Sequence, residues 1–453
     1  MRHHLIACAA GGAIRRTAAA LVIALSLAGA SGCATLRATI HGYQEGPDGI
    51  AREQQRLRDA LVRGDFTTAL AWREDDQLLR ALTRATSAYY ASQFQRAGAL
   101  LDSAALLADD RITASLSRDA LALLTSDNAR PYQPRPTERL FIAYYGMLAY
   151  ARADGWEDAA VEARRMVALI EQREGGCEPG EQPLHAALEH LAGAVFERAG
   201  RAQEARVAYR AAHRILDAAP ERPAQPGPDQ GEVLVVLERG FVAHRVTEQI
   251  NVFFGDDDAD SAYAARRAGR ARDHDDGYWM AVAFPALRRG ARPLREAVTA
   301  STDASSADVM RLATVIDDAA DADDRRDRVG MMARAMARAS AKYALTKVVK
   351  DKQGEAAGKL ANFGASLLER ADVRSWHLLP QEVQLIRIAV PAGRRSVRLD
   401  LPDRRGPVRS VELGQVTVRP GEVTIVPYRL WDDAPSVPVV AARGGSRDGS
   451  AAE

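Results

Sequence analysis

The sequence predicts an α+β multidomain protein: an N-terminal array of α-helical hairpins, a mixed β/α region, and a small antiparallel β module at the C-terminus. Three observations lead there. From residue 51 to residue 219 apolar side chains recur at the spacing of helix faces, interrupted by brief turn signals. After the stretch PERPAQPGPDQG at Pro220–Gly231 the pattern changes to continuous β-branched runs. Beyond residue 372 it becomes paired alternating runs around Pro/Gly turns.

The chain opens with a leader-like segment. Arg2, Arg15 and Arg16 precede an apolar run from Thr17 to Ala30 that is short for a membrane span, and the run ends in Ala30-Ser31-Gly32-Cys33. These residues resemble the lipobox of bacterial lipoproteins, with Ala30 where that pattern prefers Leu. The resemblance implies that residues 1–33 form a lipoprotein signal, that Cys33 is lipidated, and that its acyl chains anchor the protein in a membrane, each buried methylene adding about 0.8 kcal/mol. Ala34 after the Cys resembles the default signal for outer-membrane sorting, which places the protein in the cell envelope facing the periplasm. A plain secretory signal cut near Ala30 is the competing reading. Residues 34–50 are polar, contain Gly, and read as a tether.

At 453 residues the chain is long enough for two or three domains. Its 61 basic and 60 acidic side chains leave no charge excess to favour nucleic acid as a partner, and 47% apolar residues argue against disorder. With Cys8 in the leader and Cys33 at the lipidation site, Cys177 lacks an intramolecular partner; an incidental thiol in a Gly-rich loop competes with a nucleophile or an intermolecular bridge.

The helical domain spans 51–219. Its first hairpin covers Ala51–Glu74, and its second covers Leu78–Ala108 with Tyr89 and Phe94. The third runs from Glu138 to Ile170 around the break Ala153-Asp154-Gly155, and the fourth covers His185–Ala218. In the fourth, Gly193, Phe196, Gly200, Ala205, Tyr209 and Ala212 fall near the offsets of a tetratricopeptide repeat, so the array resembles that family, though Phe66, Phe94 and Trp156 follow no fixed period. Arg111–Pro136 reads as an insertion. In tetratricopeptide-like arrays the first helix of each hairpin lines a concave groove. That resemblance makes Arg139, Tyr144, Tyr145 and Tyr150 the candidate partner-binding residues, because Tyr144 and Tyr145 differ by about 100 degrees around the axis and cannot both face one core. Packing of Tyr145 under the Pro131–Pro136 insertion is the alternative.

Residues 220–231 have linker composition, and 232–372 read as a mixed β/α domain. Within it Glu232–Leu237 and Phe241–Phe254 suggest a hairpin, and Tyr278–Phe284 a further strand. Val309–Ile316 reads as a strand or as a capped helix start, and Asp323–Lys352 as a long helix followed by a second over Glu355–Ala371. Residues 373–432 form the C-terminal β module, with expected hairpins at Val383–Leu401 and Val408–Trp431; it resembles the PEGA-type β modules of bacterial surface proteins. Residues 433–453 read as a flexible tail.

Several segments together, Asn128-Ala129-Arg130-Pro131-Tyr132, Glu138-Arg139, Ala143-Tyr144-Tyr145, Val161–Arg165, Asp372-Val373-Arg374-Ser375-Trp376 and Leu379-Pro380, resemble an uncharacterised family of bacterial lipoproteins with tetratricopeptide-like repeats. Its members look associated with small envelope lipoproteins, including ones similar to activators of penicillin-binding proteins. The resemblance implies a compartment, a domain plan and partners among envelope proteins such as small lipoproteins or cell-wall synthesis factors, but no activity.

No catalytic residue, metal or cofactor is expected. His185, Glu189 and His190 have one residue too many for an inverted zincin motif, and read as surface residues. Asp256-Asp257-Asp258 with Asp260 lack the ordered Gly and Glu of a calcium loop. The expected function is therefore a membrane-anchored protein–protein interaction scaffold working through the helical groove. The alternative is a cell-wall hydrolase or glycan-processing enzyme with an active site between domains.

Overall fold

A computed structural model of the chain describes residues 37–44, 52–118, 130–172, 178–220, 226–255, 278–290, 298–304, 309–353, 371–401 and 409–431. Its helical part follows the expected hairpins: α1 (Arg52–Val62) with α2 (Phe66–Leu70), α3 (Gln77–Tyr90) with α4 (Phe94–Arg118), α5 (Pro136–Arg152) with α6 (Trp156–Glu171), and α7 (Gln182–Arg198) with α8 (Ala202–Ile215). The four joints share one geometry. Each turn is three residues long, and its middle residue is left-handed: Gly64 (φ 75°), Ser92 (59°), Asp154 (62°) and Gly200 (72°). The next amide closes back five residues onto the helix in every case, Asp65 to Ala60, Gln93 to Ala88, Gly155 to Tyr150 and Arg201 to Phe196, at 2.8–2.9 Å. This is the bond that satisfies an orphan carbonyl at a helix end and sends the chain back on itself.

The β part departs from the expected plan. A four-stranded sheet has the order β10 (Val423–Leu430), β2 (Gln230–Arg239), β7 (Glu382–Pro391), β6 (Val309–Val315), with β10 parallel to β2 and the other pairs antiparallel. A second sheet, β5 (Thr299–Thr302), β8 (Gly393–Leu401), β9 (Arg409–Val418), packs on it. A third, β1 (Arg37–Gln44), β3 (His244–Gly255), β4 (Tyr278–Arg288), is covered by the helix α9 (Ile316–Gln353).

The first sheet is the central layer. Leu234, Val236, Val383 and Leu385 join the core of the helices, whereas Val233, Val235, Leu237, Ile386, Ile388 and Val390 join Val397, Leu399 and Leu401 of the second sheet. Neighbouring residues of one strand thus feed two cores, as a sheet buried on both faces requires. That explains why β2 and β7 read as continuous apolar runs rather than alternations.

Five expectations need correcting. None of the three predicted hairpins forms: β3, β8 and β10 each leave the sheet of the strand before them, so successive strands cross between layers. The described strands on the two sides of residue 372 share one sheet, because the central sheet interleaves β2 and β6 with β7 and β10, so among the described residues the C-terminal strands do not form a sheet of their own. The expected tether contains β1, paired antiparallel to β3 from Arg37↔Gly255 to Gln44↔Gln249. The expected linker ends at β2, which begins at Gln230. Val309–Val315 is a strand, and α9 begins at Ile316, earlier than expected. The second helix predicted over Glu355–Ala371 and the C-terminal tail lie outside the described residues, apart from Ala371 itself, which is buried.

Candidate functional site

The expected groove is filled by the chain's own sheet. Helices α3, α5 and α7, the first of their hairpins, meet their partner helices on one side and the central sheet with its flanking loop on the other, and α5 is buried from Thr137 to Ala149 except at Arg139. Tyr144 and Tyr145 are 0% exposed, so neither offers a surface to a partner. Their hydroxyls enter a polar knot between helices and sheet instead. Tyr144 donates to Glu238 Oε1 at 2.9 Å, Tyr90 donates to Glu238 Oε2 at 2.5 Å, and the Tyr90 and Tyr145 hydroxyls lie 2.9 Å apart. Arg429 of β10 completes the knot 3.7 Å from Glu238, stacked over Trp431. Burial, reinforced by Glu238, holds the Tyr144 and Tyr145 hydroxyls protonated far above their ordinary range.

Tyr150 is half-buried and donates to Asp102 at 2.5 Å, packing its ring over Gly98. Of the expected set, Arg139 lines an open cleft. The four residues are not brought together, because α5 is enclosed and its faces meet different layers.

A second knot ties α8 to the sheet. Arg387 in the middle of β7 binds both oxygens of Glu232, at 2.9 and 2.6 Å, and donates to the Tyr209 hydroxyl and to Glu197, both at 2.8 Å. His185, Glu189 and His190 are likewise interior, at 2%, 0% and 0% exposure, which corrects their surface assignment. His190 stacks on Tyr209 with ring centroids 4.8 Å apart, and burial together with Arg387 lowers its pKa to about 3. Among the described residues no group of three or more His, Cys, Asp or Glu is placed to hold a metal, and no helix is long and apolar enough to cross a membrane. Cys33, Cys177 and the Asp256–Asp260 cluster lie outside the described residues.

The open site lies at the N-terminus of α5. A cleft of about 360 Å³ is lined by Arg130, Arg135, Arg139, Arg245, Arg334 and Arg374, with Asp327 and Asp372 as its acidic lining and Met331, Pro285 and Pro131 among its apolar wall. Its frame is built by capping chemistry. Asp76 caps α3 through the amides of Leu78 and Leu79, and also accepts from Arg111 and the Tyr132 amide. Glu138, three residues after the N-cap Arg135, accepts from the Arg135 amide and the Tyr132 hydroxyl through one oxygen, and from the Trp376 amide through the other. Arg374 reaches Asp372 and the Arg130 carbonyl.

The segments around Arg130-Pro131-Tyr132, Glu138-Arg139 and Asp372–Trp376, far apart in sequence, therefore meet here. The arginines crowd one another: burial, then the neighbouring Arg245, lowers the pKa of Arg135. Arg139 pairs with Asp109 at 3.1 Å and Arg245 with Asp324 at 2.5 Å, while the Nε of Arg334 is buried without a hydrogen-bond partner among the described residues. Such a lining suits planar, bidentate recognition of carboxylates or phosphates.

Sequence reasoning missed Glu238, Arg387 and Arg429. The available signal was a charge inside an otherwise apolar strand, LVVLE, LIRIAV and VPYRLW, since a charge that must be buried needs a partner. It missed Arg245 and Arg334 because nothing local links β3 to α9. Comparison of the chain with protein-family models, with curated proteins and with solved structures finds no match.

Proposed function

We propose that this chain is a lipid-anchored protein of the bacterial envelope that holds an acidic segment of a partner protein in the arginine-lined cleft. The observation that carries the reading is the cleft itself, an open volume of about 360 Å³ lined by six arginines, of which Arg135, Arg139, Arg245 and Arg374 pair with Asp327, Asp109, Asp324 and Asp372. A carboxylate-bearing segment is the protein ligand that such a lining recognises, by paired N–H donors and by steering of the encounter. The four identical helix joints support a tetratricopeptide-like array, one whose concave face is spent on holding the sheet. The array is then a rigid frame for the cleft rather than the binding groove. The leader residues up to Cys33 support the anchor, and partners are envelope proteins that meet the cleft on the periplasmic side of the outer membrane.

A photo-crosslinker placed at Gln133, on the rim of the cleft, tests the reading in the native host. The expected product joins this chain to an envelope protein through a segment rich in Asp and Glu, and Arg334→Glu removes it without lowering thermal stability. Crosslinks mapped to neutral or basic segments, or insensitive to Arg334→Glu, would overturn it. Release of wall fragments by the purified chain would favour a hydrolase instead. Anchoring is tested separately: Cys33→Ser should move the processed protein from the membrane to the soluble fraction.

A further inference from the structure

The central sheet ends at β10, which has β2 on one side and, among the described residues, no strand on the other. Its parallel ladder to β2 is unbroken from Val423↔Glu232 to Leu430↔Arg239. In a parallel pair every second residue of a strand makes both of its bonds to the neighbour. On β10 those residues are the even-numbered ones, because the Glu232 amide donates to the Glu422 carbonyl and the Gly240 amide to the Leu430 carbonyl, both at 2.9 Å. Val423, Ile425, Pro427 and Arg429 therefore turn their backbone groups away from β2. Pro427 fits this parity, since a proline has no N–H to give and is tolerated in a sheet where that position faces outward. Among the described residues the amide and carbonyl of Ile425 have no hydrogen-bond partner.

A groove of about 330 Å³ follows this free edge. Ile425 and Pro427 line it from the face of β10 that meets the helices, and Thr424, bonded to the Thr417 carbonyl of β9 at 3.4 Å, lines it from the other face. The groove thus crosses the open side of the strand. One wall is the turn from α5 to α6, with Leu148, Arg152 and Trp156, and the other is the end of β9, with Thr417 and Arg419. Both acidic groups of the lining are engaged: Asp154 accepts from Trp156 Nε1 at 2.7 Å, and Glu422 accepts from Arg198 at 2.6 Å. Arg152 is not. It stacks over the Phe94 ring at 4.9 Å and makes no hydrogen bond or ion pair among the described residues. An unused donor and acceptor on a strand edge and an unused guanidinium therefore line the same groove.

We infer that this groove takes an extended peptide segment, which adds to the central sheet as a strand beside β10 and sets a carboxylate on Arg152. Strand addition draws its affinity from main-chain bonds and its selectivity from the pockets that alternate side chains enter. Ile425 supplies the main-chain bonds, Leu148 and Ile425 an apolar seat, and Arg152 a donor for a carboxylate. From Thr424 to Pro427 the edge runs about 10 Å, so three or four peptide residues fill it, and Pro427 ends the run of donors. A volume of about 330 Å³ suits a short single segment rather than the edge of a second folded sheet. No residue is common to this groove and the arginine-lined cleft, so the inference rests neither on the proposed function nor on an anchor at Cys33.

The test uses the purified full-length chain and a fluorescent peptide, Val-Thr-Val-Thr-Val-Glu with an amidated C-terminus, followed by anisotropy. Saturable binding is expected, and a peptide with Gln in place of Glu should bind about ten-fold more weakly, the loss of a hydrogen bond to a charged group. Arg152→Gln should weaken the Glu peptide by the same factor and abolish the preference. Ile425→Pro removes the outward N–H while leaving the ladder to β2, and is expected to abolish binding; Ile425→Val keeps the amide and should retain it. Where Ile425→Pro proves unstable, amide exchange in the parent chain decides. The Ile425 N–H should exchange quickly in the free chain and become protected with peptide bound, whereas Val426, already bonded to β2, should not change. No saturable binding up to about 1 mM peptide, equal binding of the Glu and Gln peptides, or an Ile425 amide that stays unprotected would overturn the inference. A dimer of the parent chain that Ile425→Pro dissociates would assign the edge to a second copy and overturn it as well.

Discussion

Glu238 on β2 accepts the Tyr144 hydroxyl of α5 at 2.9 Å, which fixes the central sheet to the helical hairpins. The carboxylate is 2% exposed and stands 3.7 Å from Arg429. Breaking a buried pair by deleting one partner costs about 3–5 kcal/mol, because the remaining charge keeps its desolvation penalty. Glu238→Ala is therefore expected to lower unfolding stability by that amount in chemical denaturation, with Glu238→Gln milder because its carbonyl oxygen still accepts from one of the two tyrosines. A Glu238→Ala chain as stable as the parent would show that the knot does not hold the layers together.

Tyr145 separates a binding role from a structural one. Its ring is enclosed by Tyr89, Tyr90, Phe141, Tyr144 and Trp376, with centroids 5.1–6.2 Å away. Truncating a buried aromatic costs about 3–5 kcal/mol. Tyr145→Ala should therefore approach unfolding, given that whole domains are stable by only about 5–15 kcal/mol. Tyr145→Phe keeps the ring and removes the bonds to Tyr90 at 2.9 Å and to Arg429 at 3.5 Å, and is expected to cost about 1–2 kcal/mol. Measured loss of partner capture by a fully stable Tyr145→Ala chain would return this residue to a surface.

The contrast between Tyr144 and Arg387 shows what was legible in the sequence. Helix positions were, because the 3.6-residue period and the turn residues Gly64, Asp154 and Gly200 act locally. Strand positions were largely legible too. Strand partners were not: β2 finds β7 about 150 residues away and β10 still further, and an apolar run such as Val233–Leu237 fits a sheet buried on both faces as well as one in a hairpin. Once the sheet was misassigned, the faces of α5 could not be read, since two tyrosines a hundred degrees apart imply a second neighbour without saying whether it is this chain or another. Little of the cleft was legible, since of its lining only Arg139 was a candidate binding residue. The segments around Arg130, Glu138 and Arg374 stood out as a set, but Arg245 and Arg334 join them only through tertiary packing of β3 and α9.

Gly193 of α7 lies where a Cβ would come 2.6 Å from Tyr209 Cε1. Tyr209 cannot swing away, because Arg387 and Glu197 hold its hydroxyl, both at 2.8 Å. Overpacking costs about 1–3 kcal/mol in ordinary cores; Gly193→Leu should reach or exceed the top of that range, and Gly193→Ala should already be measurable. Gly146→Ala is the control. Its nearest neighbour is the flexible Glu162 side chain, at 3.1 Å from Cγ, so the expected loss is smaller. Equal thermal shifts for the two alanine variants would argue against the rigid Tyr209 clamp.

His190 predicts an acid-sensitive slope. Burial, then Arg387, lowers its pKa from 6.5 to about 3 in the folded chain. Between those values the unfolded chain binds a proton that the folded chain refuses. The contribution is thus fully present above pH 6.5 and is lost as pH falls towards 3, at on the order of 1 kcal/mol per pH unit. His377, also lowered to about 3 by burial and Arg58, acts in the same sense. Glu162 acts oppositely: burial raises it from 4.5 to about 7, so its contribution is present below 4.5 and is lost as pH rises through 7. Subtracting one variant from the parent isolates a single group. Neither ring nitrogen of His190 has a hydrogen-bond partner among the described residues, and the ring stacks on Tyr209, so His190→Phe removes the titration without orphaning a donor. At pH 7.5 the variant should differ from the parent by a fixed offset of about 1–3 kcal/mol, since phenyl is larger than imidazole and the site is fully buried. The difference should then move in favour of the variant as pH falls from 6.5, by on the order of 2–3 kcal/mol at pH 4.5. Urea titrations at intervals across that range give the difference directly, and parallel pH profiles for the two chains would mean that His190 is charged, or solvated, in the folded state.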